Sequence, residues 1–359
     1  MQFFLPAKQE GAYPTVMQRD RVPFREDNMT YTAKLLASVT GLIMTAGTVL
    51  AADFTFKYGN EQPETSIRSQ SMDWFKTELE KHSDGRIEVE NFFGAALGNE
   101  REMMDQVTAG LLQGTRGGFF ADASGAFNLY QLPFLVANWD EMECLVGSDF
   151  TKGVQARAEE NGYHIPATGI SQGFRAYTNN VQPITSVDDL QGLRIREPQS
   201  DLMIATGTAI GSVPVAMPFS EAYQAFKQGV IDGQHNPPQN IWDFNIHEVQ
   251  KFLTLSNHMT GPDPLIVNKA WYDGLPEDLQ ATFDEVAVEA MAMSDKLYRD
   301  AETNIVGELG KHMEINELSP EALAGFQEAV GPVYQQMIDA GHFTMDDIDA
   351  ARAAAASCG

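Results

Sequence analysis

Asp53-Phe-Thr-Phe-Lys-Tyr58 opens the pattern that decides the fold class. Its apolar and polar residues alternate as in a half-buried strand, and Ser66 to His82 follows with apolar residues at helical spacing. A second alternating strand, Arg86-Ile-Glu-Val-Glu90, precedes a second helix over Asn99 to Leu112. Strand and helix therefore alternate, which predicts an α/β fold with a largely parallel sheet.

The alternation continues towards the C-terminus. We expect a short strand at Val230-Ile231 and extended segments over residues 253–267, interrupted by Gly261-Pro-Asp-Pro264. A long helix is predicted from Leu275 to about His312, and a last one over Pro320 to Ala340. No Gly/Ser linker interrupts residues 53–345, which favours two α/β lobes with a ligand cleft between them.

Charge and cysteine content exclude several classes of protein. The 359 residues contain 24 Lys and Arg against 50 Asp and Glu, a net charge of −26, which argues against a nucleic-acid partner. Cys144 and Cys358 cannot supply a disulfide framework or a zinc module. They could pair in an oxidising compartment, but the position of Cys358 in an Ala-rich tail speaks against a bridge.

The N-terminal part has the features of an export signal. Met29 to Ala52 combines a lysine, an apolar run and small residues before Asp53, the pattern of a cleaved secretory signal. A retained anchor helix is the alternative, although the apolar run is short for a bilayer span. We expect residues 1–28 to be an upstream extension, with translation starting at Met29. No lipid-anchored cysteine follows the signal, so a free periplasmic or secreted protein is expected.

Catalytic motifs are few. Gly169-Ile-Ser171-Gln-Gly173 matches the nucleophile elbow of hydrolases, but the elbow needs a helix after the serine, and residues 174–180 are typical of strand and turn. A hydrolase using Ser171 is kept as an alternative function. No two histidines lie four residues apart and no phosphate-binding glycine loop is present, so we expect no metal, no cofactor and no enzyme activity.

The most informative stretch runs from Ser186 to His258. Arg196 ends an alternating strand, where its guanidinium could bind a carboxylate through two hydrogen bonds or pair with surface acids. Phe219 and Trp242 are either core residues or cleft walls, with core as the default. Asn236 precedes two prolines and could either orient a polar ligand or form a turn.

Three motifs in this stretch occur in a specific order: Gly192-Leu-Arg-Ile-Arg-Glu-Pro198, Met217-Pro-Phe-Ser-Glu221 and Asp232-Gly-Gln-His-Asn-Pro237. With Leu275-Pro-Glu-Asp-Leu-Gln280, they resemble the solute-binding proteins of tripartite ATP-independent periplasmic (TRAP) transporters, of the dicarboxylate-binding (DctP) type. The resemblance extends over nearly the whole chain after residue 53.

The resemblance implies a type II-like periplasmic binding protein fold with a long helix bridging the lobes. It places the N-terminal lobe at 53–172 plus 262–300, the C-terminal lobe at 173–261 plus 301–345, and a tail at 346–359. It also implies a monomer that binds a small organic acid and delivers it to a small and a large membrane permease subunit, using an ion gradient. A binding protein that feeds a sensor is the alternative within this class.

The resemblance assigns roles to single residues. Arg196 would hold the ligand carboxylate, Arg175 would contact the same ligand, Asn236 would orient it and Phe219 would form an aromatic wall. Trp242 is a further candidate for the cleft wall. His235 stands where Glu is commonest, and residues 116–120 lack the acid of sialic-acid binders, which disfavours sialic acid. Polar side chains after the first two strands could bind hydroxyl groups of a sugar acid or hydroxy acid: Glu61, Gln62, Glu100 and Arg101.

Overall fold

The computed structural model describes residues 52–117 and 120–358. The predicted upstream extension, 1–28, and all of the predicted signal except Ala52 lie outside the described residues. The strands are β1 (Phe54–Gly59), β2 (Ile87–Phe92), β3 (Gly114–Thr115), β4 (Tyr163–His164), β5 (Thr168–Ile170), β6 (Ala176–Asn179), β7 (Arg194–Glu197), β8 (Val213–Ala216), β9 (Gly233–Asn236), β10 (Phe252–Leu255), β11 (Pro262–Pro264), β12 (Ile266–Asn268) and β13 (Glu314–Glu317). The α-helices are α1 (Ile67–His82), α2 (Glu100–Thr108), α3 (Trp139–Val146), α4 (Asp149–Glu160), α5 (Asp201–Ala209), α6 (Phe219–Lys227), α7 (Pro238–Asp243), α8 (Lys269–Asp273), α9 (Glu277–Leu309), α10 (Pro320–Asp339) and α11 (Met345–Ala355).

Two sheets form the centres of two lobes, as the sequence predicts. The first has the strand order β2-β1-β3-β12-β4 and the second has the order β13-β10-β6-β9-β7-β8. All strands of the first sheet fall in 53–172 or 262–300, and all strands of the second fall in 173–261 or 301–345. The lobe boundaries themselves stay a prediction.

The sheets are mixed, and the expectation of a largely parallel sheet is wrong. Strand β12 runs antiparallel to β3 and β4, and β6 runs antiparallel to β9 and β10. The chain passes from one lobe to the other before β6 and again before β12. Each of these two strands therefore enters its sheet antiparallel to its neighbours. Strands β5 and β11 pair with each other in a separate two-stranded sheet at these crossings.

Two strand predictions near the crossings need correction. Gly261-Pro-Asp-Pro264 does not interrupt an extended segment, because Pro262–Pro264 is itself strand β11, in a two-stranded sheet where proline is tolerated. Val230-Ile231 is not a strand. Val230 is 46% exposed in the turn after α6, and the strand lies three residues later, at Gly233–Asn236.

The first lobe is held together by aromatic packing between β1 and two helices. Phe56 lies edge-on to Phe75 of α1 and to Phe283 of α9, with ring centroids 5.9 and 5.0 Å apart. Helix α9 has 33 residues, or about 50 Å at the usual rise per residue, which is long enough to contact both lobes. Its packing against α1 and α7 brings it alongside one helix of each lobe.

The C-terminal segment is more ordered than predicted. Residues 346–359, expected as a tail, contain most of helix α11, which packs against α3. Cys358 forms a disulfide with Cys144 of α3, so the expectation against a bridge is wrong. The pairing could not be predicted from local sequence, because the two cysteines are 214 residues apart and become neighbours only through the helix packing. Within residues 52–117 and 120–358, we find no helix with the length and apolar character that crossing a membrane requires.

Candidate ligand-binding site

A cavity of about 60 Å³ lies between the lobes. Seven of the predicted site residues line this space. The C-terminal lobe contributes Arg175, Arg196, Phe219 and Asn236, and the N-terminal lobe contributes Glu61, Gln62 and Glu100. A space of this size suits a small ligand.

Arg196 is held at one end of its side chain and open at the other. Its Nε donates a hydrogen bond to the carbonyl of Met217 at 3.0 Å, and its guanidinium lies 5.0 Å from the ring centre of Phe219. Among the described residues, no group accepts a hydrogen bond from its two Nη atoms. Burial lowers the pKa of Arg196, and nearby Glu61 opposes that shift. A cation only 5% exposed, with donors left over, is a place for an anion.

Arg175 lies directly before strand β6 and is fixed from the neighbouring strand β9. Its Nη1 donates to the carbonyl of His235 at 2.7 Å and to Oδ1 of Asn236 at 3.2 Å. Burial lowers the pKa of Arg175 to about 10, while Glu197 opposes the shift, so the side chain stays cationic at neutral pH. The cavity therefore receives two positive charges from one lobe.

Asn236 is the centre of a hydrogen-bonded network. Its Oδ1 accepts from Arg175 and, at 3.0 Å, from Nδ2 of Asn240, while its own Nδ2 donates to Oε1 of Gln234 at 2.7 Å. Gln234 in turn donates to Oγ1 of Thr178 at 2.9 Å. Because each bond fixes the next side chain, Asn236 meets the cavity in a single orientation.

Phe219 is the first residue of α6 and is buried. Its ring packs edge-on against Phe244 with 4.6 Å between centroids, below the Arg196 guanidinium. Phe219 therefore belongs to a buried hydrophobic cluster and also lines the cavity.

The N-terminal lobe reaches across the cleft through Glu61 and Gln62. The carboxylate of Glu61 accepts from the backbone N–H of Ser220 at 2.9 Å, in the first turn of α6, where a negative charge is favoured. Nε2 of Gln62 donates to Oδ1 of Asn240 at 3.2 Å. These side chains thus bond the lobes to each other as well as lining the cavity. Glu100, the first residue of α2, lies 3.9 Å from Arg68.

Two predicted site residues lie elsewhere. Arg101 follows Glu100 on α2 but forms an ion pair with Asp122 and does not line the cavity, because successive helical residues point in different directions. Trp242 is half-buried on α7 and stacks on His247 with 4.5 Å between ring centres. The structure places neither of them at the cavity.

Sequence reasoning missed several residues of the cavity wall, among them Arg68 and Gln172. Arg68, on the buried side of α1, donates from Nε to Asp263 at 3.3 Å, and Arg116 approaches the same carboxylate at 2.5 Å. The one sequence signal for Arg68 was that it stands on the apolar side of a predicted helix. Gln172 offered no pattern at all.

A chain of buried polar groups lies behind the arginines. Oε2 of Glu197 is 2.7 Å from Nε2 of His235, Nδ1 of His235 is 3.0 Å from Nε2 of His258, and Nδ1 of His258 is 2.7 Å from Oγ of Ser256. The Ser256 hydroxyl also donates to the carbonyl of Arg175 at 3.3 Å. When Glu197 is protonated, each group in this chain can donate to the next, and every donor has an acceptor.

The pKa shifts in this chain agree with that arrangement. Burial raises the pKa of Glu197 to about 8, although the neighbouring Arg175 and Arg196 oppose the shift. Burial, together with the same two arginines, brings the pKa of His235 well below its usual range. Burial and His235 do the same for His258. The chain is therefore a neutral support for the two cations at neutral pH.

The geometry around Ser171 does not match a nucleophile elbow. Ser171 lines the cavity, but it is followed by Gln172 and Gly173 with positive φ and then by strand β6, where the elbow needs a helix. Over the part of the chain that the structure describes, no three His, Cys, Asp or Glu side chains are grouped in a way that could hold a metal ion.

Comparison with known proteins shows the family to which the chain belongs. Residues 58–340 match the model of the bacterial extracellular solute-binding proteins, family 7. The chain belongs to this family. The resemblance to the dicarboxylate-binding type of TRAP proteins is confirmed, and family 7 is a family of solute-binding proteins, not of enzymes.

Relatives in family 7 share most of their length with the chain. The C4-dicarboxylate-binding periplasmic protein DctP of Rhodobacter capsulatus is 27% identical over 298 residues, 81% of this chain and 88% of the relative. The 2,3-diketo-L-gulonate-binding periplasmic protein YiaO of Escherichia coli K12 is 28% identical over 301 residues, 83% of this chain and 91% of the relative. The crystal structure of a TRAP periplasmic solute-binding protein from Polaromonas sp. JS666, bound to D-erythronate, superposes with a TM-score of 0.79 at 27% identity, covering 84% of this chain and 98% of that one.

Proposed function

We propose that the protein binds a small organic acid in the cavity between its lobes, with Arg196 and Arg175 holding the carboxylate. The observation that carries this proposal is the pair of buried guanidinium groups that are fixed by protein carbonyls on one side and face the cavity on the other. A carboxylate matches the fork of a guanidinium and would neutralise charge that is costly to bury alone.

The ligand class follows from the rest of the wall. Asn236, Gln62 and Glu100 bring amide and carboxylate groups to the cavity, which suit the hydroxyl groups of a sugar acid or a hydroxy or dicarboxylic acid. Relatives named for binding a C4-dicarboxylate, 2,3-diketo-L-gulonate and D-erythronate support the same class. Within this class, the lack of an acidic residue at 116–120 disfavours sialic acid.

Binding is coupled to lobe closure. The acid docks first on the C-terminal lobe, where both arginines lie, and polar groups of the N-terminal lobe then complete the site. Glu61 and Gln62 already hydrogen-bond across the cleft, which favours the closed arrangement. A ligand that contacts both lobes stabilises that arrangement by its differential affinity for the closed form.

The protein is a carrier and not a catalyst. We propose that it acts in the periplasm and delivers the acid unchanged to the small and large permease subunits of a TRAP system, which use an ion gradient. A role in feeding a sensor is separated from transport by reconstituting the permease in vesicles, since uptake that needs both this protein and an ion gradient supports delivery.

The test is calorimetric titration of the purified protein with D-erythronate, D-gluconate, malate and succinate. Replacing Arg196 by Ala should lower the affinity for the acid that binds by at least about 30-fold, the usual loss for truncating one partner of a buried charge pair. Arg101→Ala is the matched control, because Arg101 is an arginine near the cleft that does not line the cavity. Equal affinity of Arg196→Ala and wild type contradicts the carboxylate assignment. Recovery of chemically altered acid contradicts the carrier role.

A further inference from the structure

We propose that Gln172 is a specificity-determining residue of the cavity, whose side-chain amide binds a hydroxyl group on the part of the ligand remote from the carboxylate. The inference rests on the proposed function, because it assumes that an organic acid occupies this cavity. Gln172 belongs to none of the motifs that identify the family, and its assignment comes from its backbone, its burial and its hydrogen bonding.

The backbone of Gln172 adopts a conformation that is unfavourable for glutamine. Its φ is +60°, in the left-handed region, where the β-carbon is crowded and Gly or Asn is the usual residue. The surrounding structure holds it there: the N–H of Ser171 donates to the carbonyl of Gly261 at 2.8 Å, and that of Gln172 donates to the carbonyl of Ile170 at 2.9 Å. Strained residues that persist in this way are concentrated at ligand sites.

The next residue, Gly173, cannot take over the left-handed conformation with a side chain of its own. Gly173 has a φ of +101°, and a β-carbon there would lie 2.9 Å from the indole of Trp139. Position 173 therefore has to be glycine, and position 172 completes the turn. A second glycine at position 172 would relieve the strain, so the glutamine needs a reason that lies in its side chain.

The side chain of Gln172 lines the cavity and lacks a partner for its donor. The residue is 5% exposed, and its Nε2 is buried with no hydrogen-bond acceptor among the described residues. Leaving a buried amide donor unpaired is costly, and such groups in native structures call for an explanation. An acceptor on a ligand in this cavity supplies one.

A second buried polar atom without a partner belongs to a residue that lines the same cavity. Oε1 of Gln62 is buried without a donor, although Nε2 of the same amide is bonded to Asn240. Gln172 thus offers an unused donor and Gln62 an unused acceptor. A hydroxyl group can both accept and donate, whereas a methylene group can do neither, so the two amides favour hydroxylated acids over their deoxy counterparts.

The experiment compares acids that differ only in their hydroxyl groups. The matched pairs are D-erythronate with butyrate, D-gluconate with hexanoate, and malate with succinate, each titrated calorimetrically into wild type and Gln172→Met. Methionine keeps the length of the side chain and removes the amide. We expect Gln172→Met to lose about 10-fold to 100-fold in affinity for the hydroxylated member and less than about twofold for the deoxy member.

A second variant separates binding from folding. Gln172→Gly relieves the left-handed strain and removes the amide, so its unfolding temperature should equal or exceed that of wild type while its affinity for the hydroxylated acid falls. A residue that only supports the fold would lose stability and affinity together. Gln182→Met, which removes an amide outside the cavity, is the control.

Each outcome decides the assignment. A selective loss for hydroxylated acids in both Gln172 variants supports it. An equal loss for both members of a pair, or no loss, overturns it and leaves the carboxylate site intact, provided that Arg196→Ala still weakens both members. Failure of every acid to bind wild type overturns the proposed function and this inference with it.

Discussion

Glu197 shows how much of the site depends on groups that no ligand touches. Glu197 follows Arg196 in the sequence, and its carboxyl group is buried. This group is hydrogen-bonded to His235 and begins a series of hydrogen-bonded groups that ends at the carbonyl of Arg175. Two guanidinium groups would draw a nearby carboxylate into its charged form, yet burial is the larger effect and raises the pKa of Glu197 to about 8. The arginines then keep their charge for an anion in the cavity.

This raised pKa predicts how stability depends on pH. Between about pH 4.5, the ordinary pKa of a glutamate, and about pH 8, the unfolded chain loses the Glu197 proton while the folded protein retains it. The contribution of Glu197 to the free energy of unfolding therefore falls as the pH rises. Glu197→Gln keeps a donor towards His235 and removes the titration, so it should gain stability relative to wild type from pH 5 to pH 8.

Urea unfolding followed by tryptophan fluorescence measures this difference at each pH. Glu328→Gln, which changes an exposed glutamate of α10, should run parallel to wild type. His235 and His258 act in the opposite direction below about pH 6.5. Their lowered pKa values mean that the unfolded chain takes up protons first, so stability is lost as the pH falls. A constant difference between Glu197→Gln and wild type from pH 5 to pH 8 contradicts the buried-acid interpretation.

At the scale of single elements, β9 is the strand that sequence patterns could not find. Gly233-Gln-His-Asn236 is polar, yet all four residues are buried, because Gln234, His235 and Asn236 each bond to a neighbouring side chain. Periodicity detects strands by their apolar residues and therefore selected Val230-Ile231 instead. The helices were predicted better, since amphipathic spacing and caps such as Ser66 and Asn99 are local signals.

The same limit applies to the site. The motifs around Arg196 and Asn236 have fixed spacing within one lobe, and both residues line the cavity together with Arg175. Gln172 could not be predicted, because its role comes from a positive φ and an unpaired amide, which exist only after the chain has crossed between lobes. Glu61 and Gln62, which follow a strand, line the cavity as predicted, whereas Arg101 does not. Arg101 lies on a helix, where the direction of the side chain turns by about 100° at each residue.

The close packing around Gly233 of strand β9 predicts that a larger residue at this position destabilises the protein. A β-carbon on Gly233 would lie 2.3 Å from the carbonyl oxygen of Thr178 in β6, so Gly233→Ala should push the two strands apart. We expect a loss of about 1–3 kcal/mol in the free energy of unfolding, the usual cost of overpacking. Affinity for the bound acid should fall as well, since Arg175 and Asn236 are bonded across this pair of strands.

Chemical denaturation and titration of Gly233→Ala test both effects. The control is Gly153→Ala in α4, where a β-carbon meets no atom within 4 Å and alanine should be neutral or slightly stabilising. Wild-type stability in Gly233→Ala is the result that would be incompatible with the close approach of β6 and β9.

The whole molecule presents an electrostatic problem for an anion. The chain carries a net charge of −26, whereas the charge that attracts a carboxylate is confined to a few buried arginines. Long-range repulsion therefore opposes the approach of an acid, and attraction begins only inside the cleft. The two effects act over different distances, so they respond differently to salt.

Salt should accelerate binding. The Debye length falls from about 30 Å at 0.01 M salt to about 8 Å at 0.15 M, which screens the distant surface acids more than contacts within the cavity. We expect the association rate of the acid, followed by stopped-flow fluorescence, to rise over this range. Choline chloride in place of sodium chloride controls for specific ion effects. A rate that falls with salt shows that attraction dominates at long range.

The hydrogen-bonded network of β9 has a consequence for engineering new selectivity. Thr178, Gln234, Asn236 and Asn240 form a connected set in which each amide is oriented by the next. A single substitution leaves the neighbouring side chain with an unpaired donor or acceptor. Libraries of single substitutions at these positions will therefore mostly yield variants with lower affinity or lower stability. Recombining the entire 232–240 segment from a relative, together with position 178, keeps the set intact. In this lobe, ligand selectivity therefore changes by exchange of a whole segment and not by substitution of a single residue.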